Sequence, residues 1–197
     1  MKYLEDIIGF VSGNISTSQF EKYLYASSDM EKELSDESLK IPPYTDCGSA
    51  YLYLISINYN DVGSLLNAQD LLSQFLDKKG VTHYKADTYK KLGNIIYKAQ
   101  PKWLDLPGDY ANHLLQELGD MADVALVAAL REKIAELFCF MSKPPKWIQS
   151  PAWPIEEGSP LFFIGQLKLE GIRLDDGVAY MFLNKKTDTY QVIEQFY

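Results

Sequence analysis

Cysteine is scarce in this chain, and its scarcity excludes disulfide-rich and cysteine-ligated metal proteins. Cys47 and Cys139 are the two cysteines among 197 residues, and their separation is far greater than the spacing of a metal or redox motif. Such isolated cysteines are typical of free thiols in a reducing compartment. We therefore predict a cytoplasmic protein in which both thiols are free.

Histidine and catalytic motifs are lacking as well. His83 and His113 are the two histidines, and neither belongs to an HExxH motif or to a Cys-His ligand pattern. The sequence also contains no GxSxG elbow, no GxxxxGK[ST] loop and no GxGxxG turn. These absences remove the motif-based routes to a serine hydrolase, a P-loop enzyme or a dinucleotide-binding enzyme. We predict that the protein is not an enzyme and uses neither a metal nor a cofactor.

Positive charge and long apolar runs are also in short supply. The chain has 19 Lys and Arg against 27 Asp and Glu, which gives a formal net charge of -8. This balance repels phosphate backbones and anionic membranes, and it favours basic partners. Glu5 and Asp6 interrupt the first apolar run, and no later stretch is long enough to span a membrane. We expect no direct binding to nucleic acid or membranes, and no export.

Hydrophobic residues are plentiful, at 47% of the chain, and most of them recur at helical spacing. This spacing predicts about five to seven helices before the first double proline of the C-terminal quarter. The clearest helix follows Asp61 and ends at Gly80. Residues 47–59 fit either a helix or a strand, and their helical neighbours favour a helix. Ser18 and Glu21 have the spacing of a capping box.

The helical pattern stops at Pro144 and Pro145, after which strands are predicted. Three runs rich in β-branched and aromatic residues alternate with turn residues, at 161–169, 178–183 and 190–196. This pattern predicts a three-stranded antiparallel meander, which must pack on other elements because three strands alone are marginally stable. We therefore predict an α+β protein, with a mainly helical part in residues 1–142 packed with a small antiparallel β-sheet in residues 143–197.

The segment between the helices and the strands is rich in proline and tryptophan. Trp147 and Trp153 flank prolines there. Such tryptophans ordinarily pack in the core. Segments of this composition also form aromatic-lined grooves for extended peptides. Without a charged or polar anchor pattern, core packing is the favoured interpretation, and a peptide-binding regulatory protein is an alternative.

Two pairs of neighbouring carboxylates, Glu156-Glu157 and Asp175-Asp176, have the residue type that acid-base catalysis uses. Both pairs lie in polar, turn-like segments, where solvation is the usual explanation. The enzyme alternative is a small catalyst of unknown class. Its site would lie at the helix-sheet junction and use Asp175, Asp176 or His113 as the acid or base.

Acidic residues are concentrated in residues 1–46 and 103–142, with a lysine-rich stretch at 78–102 between them. An acidic surface accelerates association with a basic partner. The densest acidic groups outside the predicted core are therefore the candidate partner-binding residues. They are Glu31, Glu33, Asp36 and Glu37 in the first segment, and Glu117, Asp120 and Asp123 in the second.

Two parts of the sequence resemble known bacterial families. The C-terminal WPIEEGSPLFFIGQLKLEG, followed by LDDGVAYMFLN, resembles the signature of the YwqG-like family. The family's positions are held here by Trp153, Pro154, Pro160, Leu161, Phe163, Gln166 and Gly177. The stretches IIGFVSGNISTSQFEKYLYASSDMEKEL and DVGSLLNAQDLLSQFLDKKGV are similar to helical immunity proteins of polymorphic and contact-dependent toxin systems.

The resemblance implies an immunity protein that binds and neutralises a cognate toxin in the bacterial cytoplasm. YwqG-like segments occur among such proteins, and neither family contributes a catalytic residue to this sequence. Together with the negative charge, the resemblance implies a toxin domain such as a basic nuclease, bound through an acidic surface. A small enzyme and a peptide-binding regulatory protein remain the alternatives.

Overall fold

The computed structural model describes residues 2–36, 38–39, 46–172 and 175–197. Over these residues the chain has an α+β fold, in which eight helices precede a three-stranded antiparallel sheet. The predicted fold class is confirmed. The chain divides into two compact units, Met1–Asn94 and Ile95–Tyr197. No described helix has the length and apolar character that crossing a bilayer requires.

The N-terminal unit is built from helices. They are α1 (Lys2–Val11), α2 (Thr17–Ala26), α3 (Ser28–Leu34), α4 (Ala50–Ser56), α5 (Val62–Lys78) and the first part of α6 (Thr88–Ala99). Helix α1 packs against α2 and α5. Between α1 and α2 the rings of Phe10 and Phe20 stack, with centroids 4.3 Å apart, and both side chains are fully buried. The helix predicted within residues 47–59 is confirmed as α4.

Helix capping agrees with the prediction from the sequence for α5 and disagrees with it for α2. Asp61 caps α5 as predicted, because its Oδ1 accepts the Ser64 N–H at 2.6 Å. The capping box predicted for α2 at Ser18 and Glu21 is wrong. Ser16 has the extended backbone of an N-cap, and it exchanges hydrogen bonds with Gln19 instead. Ser18 already lies inside the helix, so its hydroxyl cannot serve as the cap.

The C-terminal unit combines helices with the sheet. After the end of α6 come α7 (Gly108–Leu118), α8 (Asp123–Leu137), β1 (Ile155–Glu156), β2 (Ser159–Pro160), β3 (Phe162–Lys168), β4 (Gly177–Asn184) and β5 (Thr189–Phe196). Strands β3, β4 and β5 are neighbours in that order, and both pairings are antiparallel. The predicted meander is therefore confirmed. Strands β1 and β2 form a separate short hairpin that the sequence pattern did not reveal.

The two faces of the sheet have different environments. On β4, Tyr180 and Phe182 are fully buried, whereas Met181 between them is 43% exposed. The buried face belongs to an aromatic core that contains Trp153, whose ring meets Phe182 at 5.4 Å and Phe138 at 5.5 Å. Because Phe138 directly follows α8, this core joins the sheet to the helices of the same unit.

The boundary between compact units differs from the boundary between helices and strands. Helices continue to Leu137, near the predicted change at residue 142, but compactness divides the chain after Asn94. Helices α7 and α8 belong with the sheet because Tyr110 of α7 packs edge-on against Phe138, which contacts Trp153. The division into 1–142 and 143–197 thus follows secondary structure, and as a division into domains it stays a prediction.

Candidate functional site

A groove of about 740 Å³ lies within the C-terminal unit. One wall is the segment 142–151, the other is the first half of β3, and residues 102–103 close one side. We call it the Pro-Trp groove. Its lining residues are Lys102, Trp103, Ser142, Lys143, Pro144, Pro145, Lys146, Trp147, Gln149, Pro151, Phe163, Ile164, Gly165 and Gln166.

The groove arises where the chain leaves the edge of the sheet. Residues 139–141 run parallel to β3, since Phe163 N–H donates to Cys139 O at 3.0 Å and Met141 N–H donates to Phe163 O at 2.9 Å. Pro144 and Pro145 have no N–H group and cannot extend this ladder. The segment therefore departs from β3 after Met141, and the groove occupies the space between them.

Beyond this departure point, β3 is an edge strand. A β-bulge lies between Phe163 and Gly165. Leu169 N–H donates to Gly177 O at 2.9 Å, so Leu169 faces β4. Backbone direction alternates along an antiparallel strand, which turns the N–H and C=O groups of Gln166 and Lys168 toward the outer edge. No other strand among the described residues pairs with this part of the edge, which makes it available to an added strand.

Buried polar side chains hold the proline-rich wall in place. Gln195 is only 6% exposed, and its Oε1 accepts the N–H groups of Ile148 at 3.3 Å and Gln149 at 3.0 Å. Its Nε2 donates to Ser150 O at 2.9 Å. These bonds satisfy backbone groups that have no ladder of their own in an irregular segment. The Gln195 side chain therefore makes the backbone hydrogen bonds that a neighbouring strand would otherwise make.

Tyr180 and Gln166 fix the same wall at Lys146. The Tyr180 hydroxyl donates to Lys146 O at 3.1 Å and accepts the Ile148 N–H at 3.0 Å. Burial raises the pKa of Tyr180, so the phenol stays protonated and able to donate to higher pH than an exposed tyrosine does. Gln166 Oε1 accepts the Lys146 N–H at 2.7 Å. The wall is thus ordered without a ligand, which lowers the entropy lost on binding.

Two half-buried tryptophans provide the aromatic surface of the groove. Trp147 packs on Tyr180 with ring centroids 4.4 Å apart, and its Nε1–H donates to Trp103 O at 2.8 Å. Trp103 packs on Trp153 with centroids 5.3 Å apart. Trp153 itself is buried, and its Nε1–H donates to Leu161 O at 2.8 Å. The predicted core role describes Trp153, whereas Trp147 both packs on the sheet and lines the groove.

The rim of the groove is positively charged. Lys102, Lys143 and Lys146 line it, and all three side chains are exposed. None of the described lining residues is Asp or Glu. A chain with a formal net charge of -8 thus carries a local positive zone around an apolar surface. Such a zone attracts carboxylates.

The first group of candidate acidic residues belongs to the N-terminal unit. Glu31 and Asp36 are exposed. Glu33 is half-buried and forms an ion pair with Lys79 at 2.6 Å, so its charge is already compensated. The Ser38 N–H donates to the Asp36 carboxylate at 2.9 Å, and this bond lowers the pKa of Asp36. Glu37 lies outside the described residues.

The second group belongs to the C-terminal unit, in and after α7. Glu117 contacts His113 Nε2 at 3.2 Å and Lys133 Nζ at 3.5 Å, so neighbours screen its charge. Asp120 and Asp123 are exposed. Val124 beside them is 84% exposed, and it gives this surface a mixed acidic and apolar character. The two candidate groups thus lie in different units.

The residues of the enzyme alternative are not brought to the groove. None of Asp175, Asp176 and His113 lines it. Asp175 and Asp176 are exposed in the connection from β3 to β4, and His113 is exposed on α7. Glu156 accepts a hydrogen bond from Asn184 Nδ2 at 2.7 Å. Among the residues that the structure describes, no three His, Cys, Asp or Glu side chains are grouped as metal ligands would be.

A serine-histidine contact in the N-terminal unit was not predicted from the sequence motifs. Ser73 Oγ lies 2.7 Å from His83 Nε2, and His83 Nδ1 lies 3.1 Å from Val81 O. Asp77 Oδ1 is 3.8 Å from His83 Nδ1, beyond hydrogen-bond distance. Ser73 is buried within α5, where a substrate could not reach its hydroxyl. The contact therefore ties the loop after α5 to that helix.

Comparison of the chain with protein-family models, with curated proteins and with solved structures finds no match. The resemblances to immunity proteins and to the YwqG-like family stay predictions from the sequence. The physical basis for a function is the geometry of the Pro-Trp groove and of the exposed acidic residues.

Proposed function

We propose that this protein binds an extended segment of a partner protein in the Pro-Trp groove. One observation carries the proposal: an ordered aromatic groove runs beside the part of the β3 edge, after Phe163, that pairs with no other strand of the described residues. The edge offers backbone hydrogen bonds, and Trp103 and Trp147 offer apolar surface, as in other modules that recognise extended peptides. The peptide-binding alternative from the sequence is therefore the function that the geometry supports best.

Neutralisation of a toxin is the biological role that we attach to this binding. The resemblance to immunity proteins supports it, because such proteins act by occupying a surface of a cognate toxin. The proposed location is the cytoplasm, where the exposed Cys47 and Cys139 would remain reduced. In this role the protein acts by binding alone and performs no chemistry on its partner.

A second candidate surface is supported by the exposed residues at the start of α8. Asp120 and Asp123 flank Met121, which is 37% exposed, and Val124 follows with 84% exposure. Exposed apolar side chains rimmed by charge are typical of protein interfaces. This surface suits a basic partner, such as the nuclease domain predicted from the sequence, and it lies on residues that do not line the groove.

Selection from a random-peptide library on the full chain tests the proposal. Selected peptides are then titrated into ¹⁵N-labelled protein while the indole N–H signals of its three tryptophans are followed. We expect the Trp103 and Trp147 signals to move most, because these rings line the groove. The Trp153 signal should move least, because its indole N–H is buried against Leu161 O.

Either of two results would contradict the groove as the binding site. One is that no peptide is selected. The other is that selected peptides leave the indole signals unchanged and shift the amides of residues 120–124, which would favour the second candidate surface. Replacement of both Asp120 and Asp123 by Asn separates the two surfaces further. We expect groove-directed peptides to bind this double variant as they bind the original protein.

A further inference from the structure

We infer that the segment held in the Pro-Trp groove is acidic, alternates carboxylate with apolar side chains, and adds to β3 as a further strand. This inference rests on the proposed function and specifies its ligand. Three features support it, namely the charge around the groove, the direction of the backbone groups along β3 and the aromatic surface of Trp103 and Trp147.

The charge around the groove selects an acidic occupant. Lys102 comes from the segment after α6, whereas Lys143 and Lys146 flank the double proline, so the positive zone is assembled from two parts of the chain. Their side chains are exposed, and no described lining residue opposes them. Lys168 is also exposed and continues the positive zone along the same strand. A basic segment would be repelled at each of these positions.

The backbone of β3 selects an extended occupant. Residues 139–141 already pair with β3 at Phe163, and a bound segment would continue this strand position where the prolines end it. Neighbouring strands lie about 4.8 Å apart, so a strand in this position can reach the outward N–H and C=O groups of Gln166 and Lys168. Pairing of this kind satisfies an exposed edge and gives affinity that depends little on side chains.

The aromatic surface selects the alternation of side chains. Successive side chains of a strand point to opposite sides. With every second residue directed at Trp103 and Trp147, the residues between them point away from the aromatic surface toward solvent, where the long, exposed lysine side chains of the rim can reach them. Valine or isoleucine suits the first set because β-branched residues favour extended backbone. Aspartate or glutamate suits the second set.

Three synthetic peptides test the inference on the full-length protein. The first alternates Glu and Val, the second alternates Lys and Val, and the third is the first with N-methyl groups on alternate backbone nitrogens. Dissociation constants are measured by calorimetry at low and high salt. We expect the Glu-Val peptide to bind at least about tenfold more tightly than either of the others, and more weakly as salt screens the lysines.

Charge-reversed variants identify the lysines responsible. In the variant with Lys102→Glu, Lys143→Glu and Lys146→Glu, we expect the preference to reverse toward the Lys-Val peptide. The matched control carries Lys22→Glu, Lys32→Glu and Lys90→Glu, which makes the same change in net charge at exposed positions of the N-terminal unit. The control should bind all three peptides as the original protein does. All six substitutions are at exposed side chains, so both variants should fold.

The failure of this inference can be told apart from failure of the proposed function. If library-selected peptides move the Trp103 and Trp147 signals but the Glu-Val peptide binds no better than the Lys-Val peptide, the groove is a binding site and the acidic preference is wrong. If N-methylation leaves the affinity of the Glu-Val peptide unchanged, strand addition is wrong. If neither selected peptides nor the Glu-Val peptide bind, both proposals fail.

Discussion

The two units of this protein satisfy their buried backbone groups in different ways. The N-terminal unit relies on helices, which bond their own N–H and C=O groups, and its buried polar side chains Gln69 and Ser73 bond the end of α1 and His83. The C-terminal unit contains an irregular proline-rich segment, and the side chains of Gln166, Tyr180 and Gln195 bond its backbone. The irregular wall is thus held in place by side-chain hydrogen bonds, from the buried Tyr180 and Gln195 and from the exposed Gln166, and it forms one side of the groove.

The largest predicted difference between the units is in the free energy of unfolding lost when a buried glutamine is replaced, Gln195 in the C-terminal unit and Gln69 in the N-terminal unit. Gln195→Leu removes the bonds to Gln149 N–H and Ser150 O, and should lower the free energy of unfolding by about 2 to 3 kcal/mol. Gln69→Leu should cost less than about 1 kcal/mol, because Val11 O keeps its bond from Ala86 N–H. In addition, Gln69 Oε1 has no hydrogen-bond partner among the described residues.

Denaturant unfolding followed by tryptophan fluorescence measures the first variant, because Trp103, Trp147 and Trp153 all lie in the C-terminal unit. Amide hydrogen exchange in α1 and α5 measures the second. Equal losses in the two variants would show that the buried amide of Gln195 has no special role in holding the wall.

A smaller effect is expected when the Tyr180 hydroxyl is removed. Tyr180→Phe keeps the ring packed on Trp147 but deletes the hydrogen bonds to Lys146 O and from Ile148 N–H. We expect a loss of about 1 to 2 kcal/mol in the free energy of unfolding, together with weaker peptide binding. Tyr110→Phe is the matched control in the same unit, and the structure assigns its hydroxyl no hydrogen bond among the described residues. An equal loss in both variants would contradict the anchoring role.

Alkaline pH should act on the N-terminal unit through Tyr59. This side chain is buried, donates to Leu54 O at 2.9 Å, and has a pKa raised by burial. Above its unfolded pKa of about 10, the unfolded chain loses this proton while the folded chain retains it, so stability falls as pH rises. Tyr59→Phe should be about 1 kcal/mol less stable at neutral pH but lose less stability above pH 10. Parallel pH profiles of unfolding free energy would contradict this assignment.

The smallest effect is expected at the ion pair between Glu33 and Lys79. The two side chains are 31% and 32% exposed, and the hydrogen bond from Lys79 to Glu33 raises the pKa of Lys79. Because solvent screens the pair, Glu33→Gln should change the free energy of unfolding by less than about 1 kcal/mol, and by less still at high salt. A loss well above that value, measured by urea unfolding, would show that this surface contributes more to the N-terminal unit than its exposure suggests.

Regular elements of the fold could be predicted because their signals are local. Asp61 and the leucines after it predict α5, and the alternating runs predict the meander. Helix α8 illustrates the limit of such signals. Its apolar pattern continues in the sequence, but the chain leaves the helix at Leu137 because Phe138 enters the aromatic core and residues 139–141 bond to β3. Tertiary contacts decided that boundary.

The candidate site could be predicted only in part. Its proline and tryptophan content was visible in the sequence, whereas Lys143 and Lys146, which flank the two prolines, were overlooked as charged anchors. The remaining parts are distant in sequence. Lys102 reaches the rim from the segment after α6, and Gln195 lies on the last strand, where nothing in its neighbours indicates a bond to residues 148–150. Only the packed sheet brings these residues together.

Residue-level hydrogen exchange on the Glu-Val peptide complex tests the central claim most directly. If the peptide adds to β3 in the Pro-Trp groove, the backbone amides of Gln166 and Lys168 should exchange at least about tenfold more slowly in the complex, because each gains a hydrogen-bond partner. Amides of the outward-facing β5 edge should be unaffected. A peptide that binds while Gln166 and Lys168 exchange as fast as in the free protein would contradict the account.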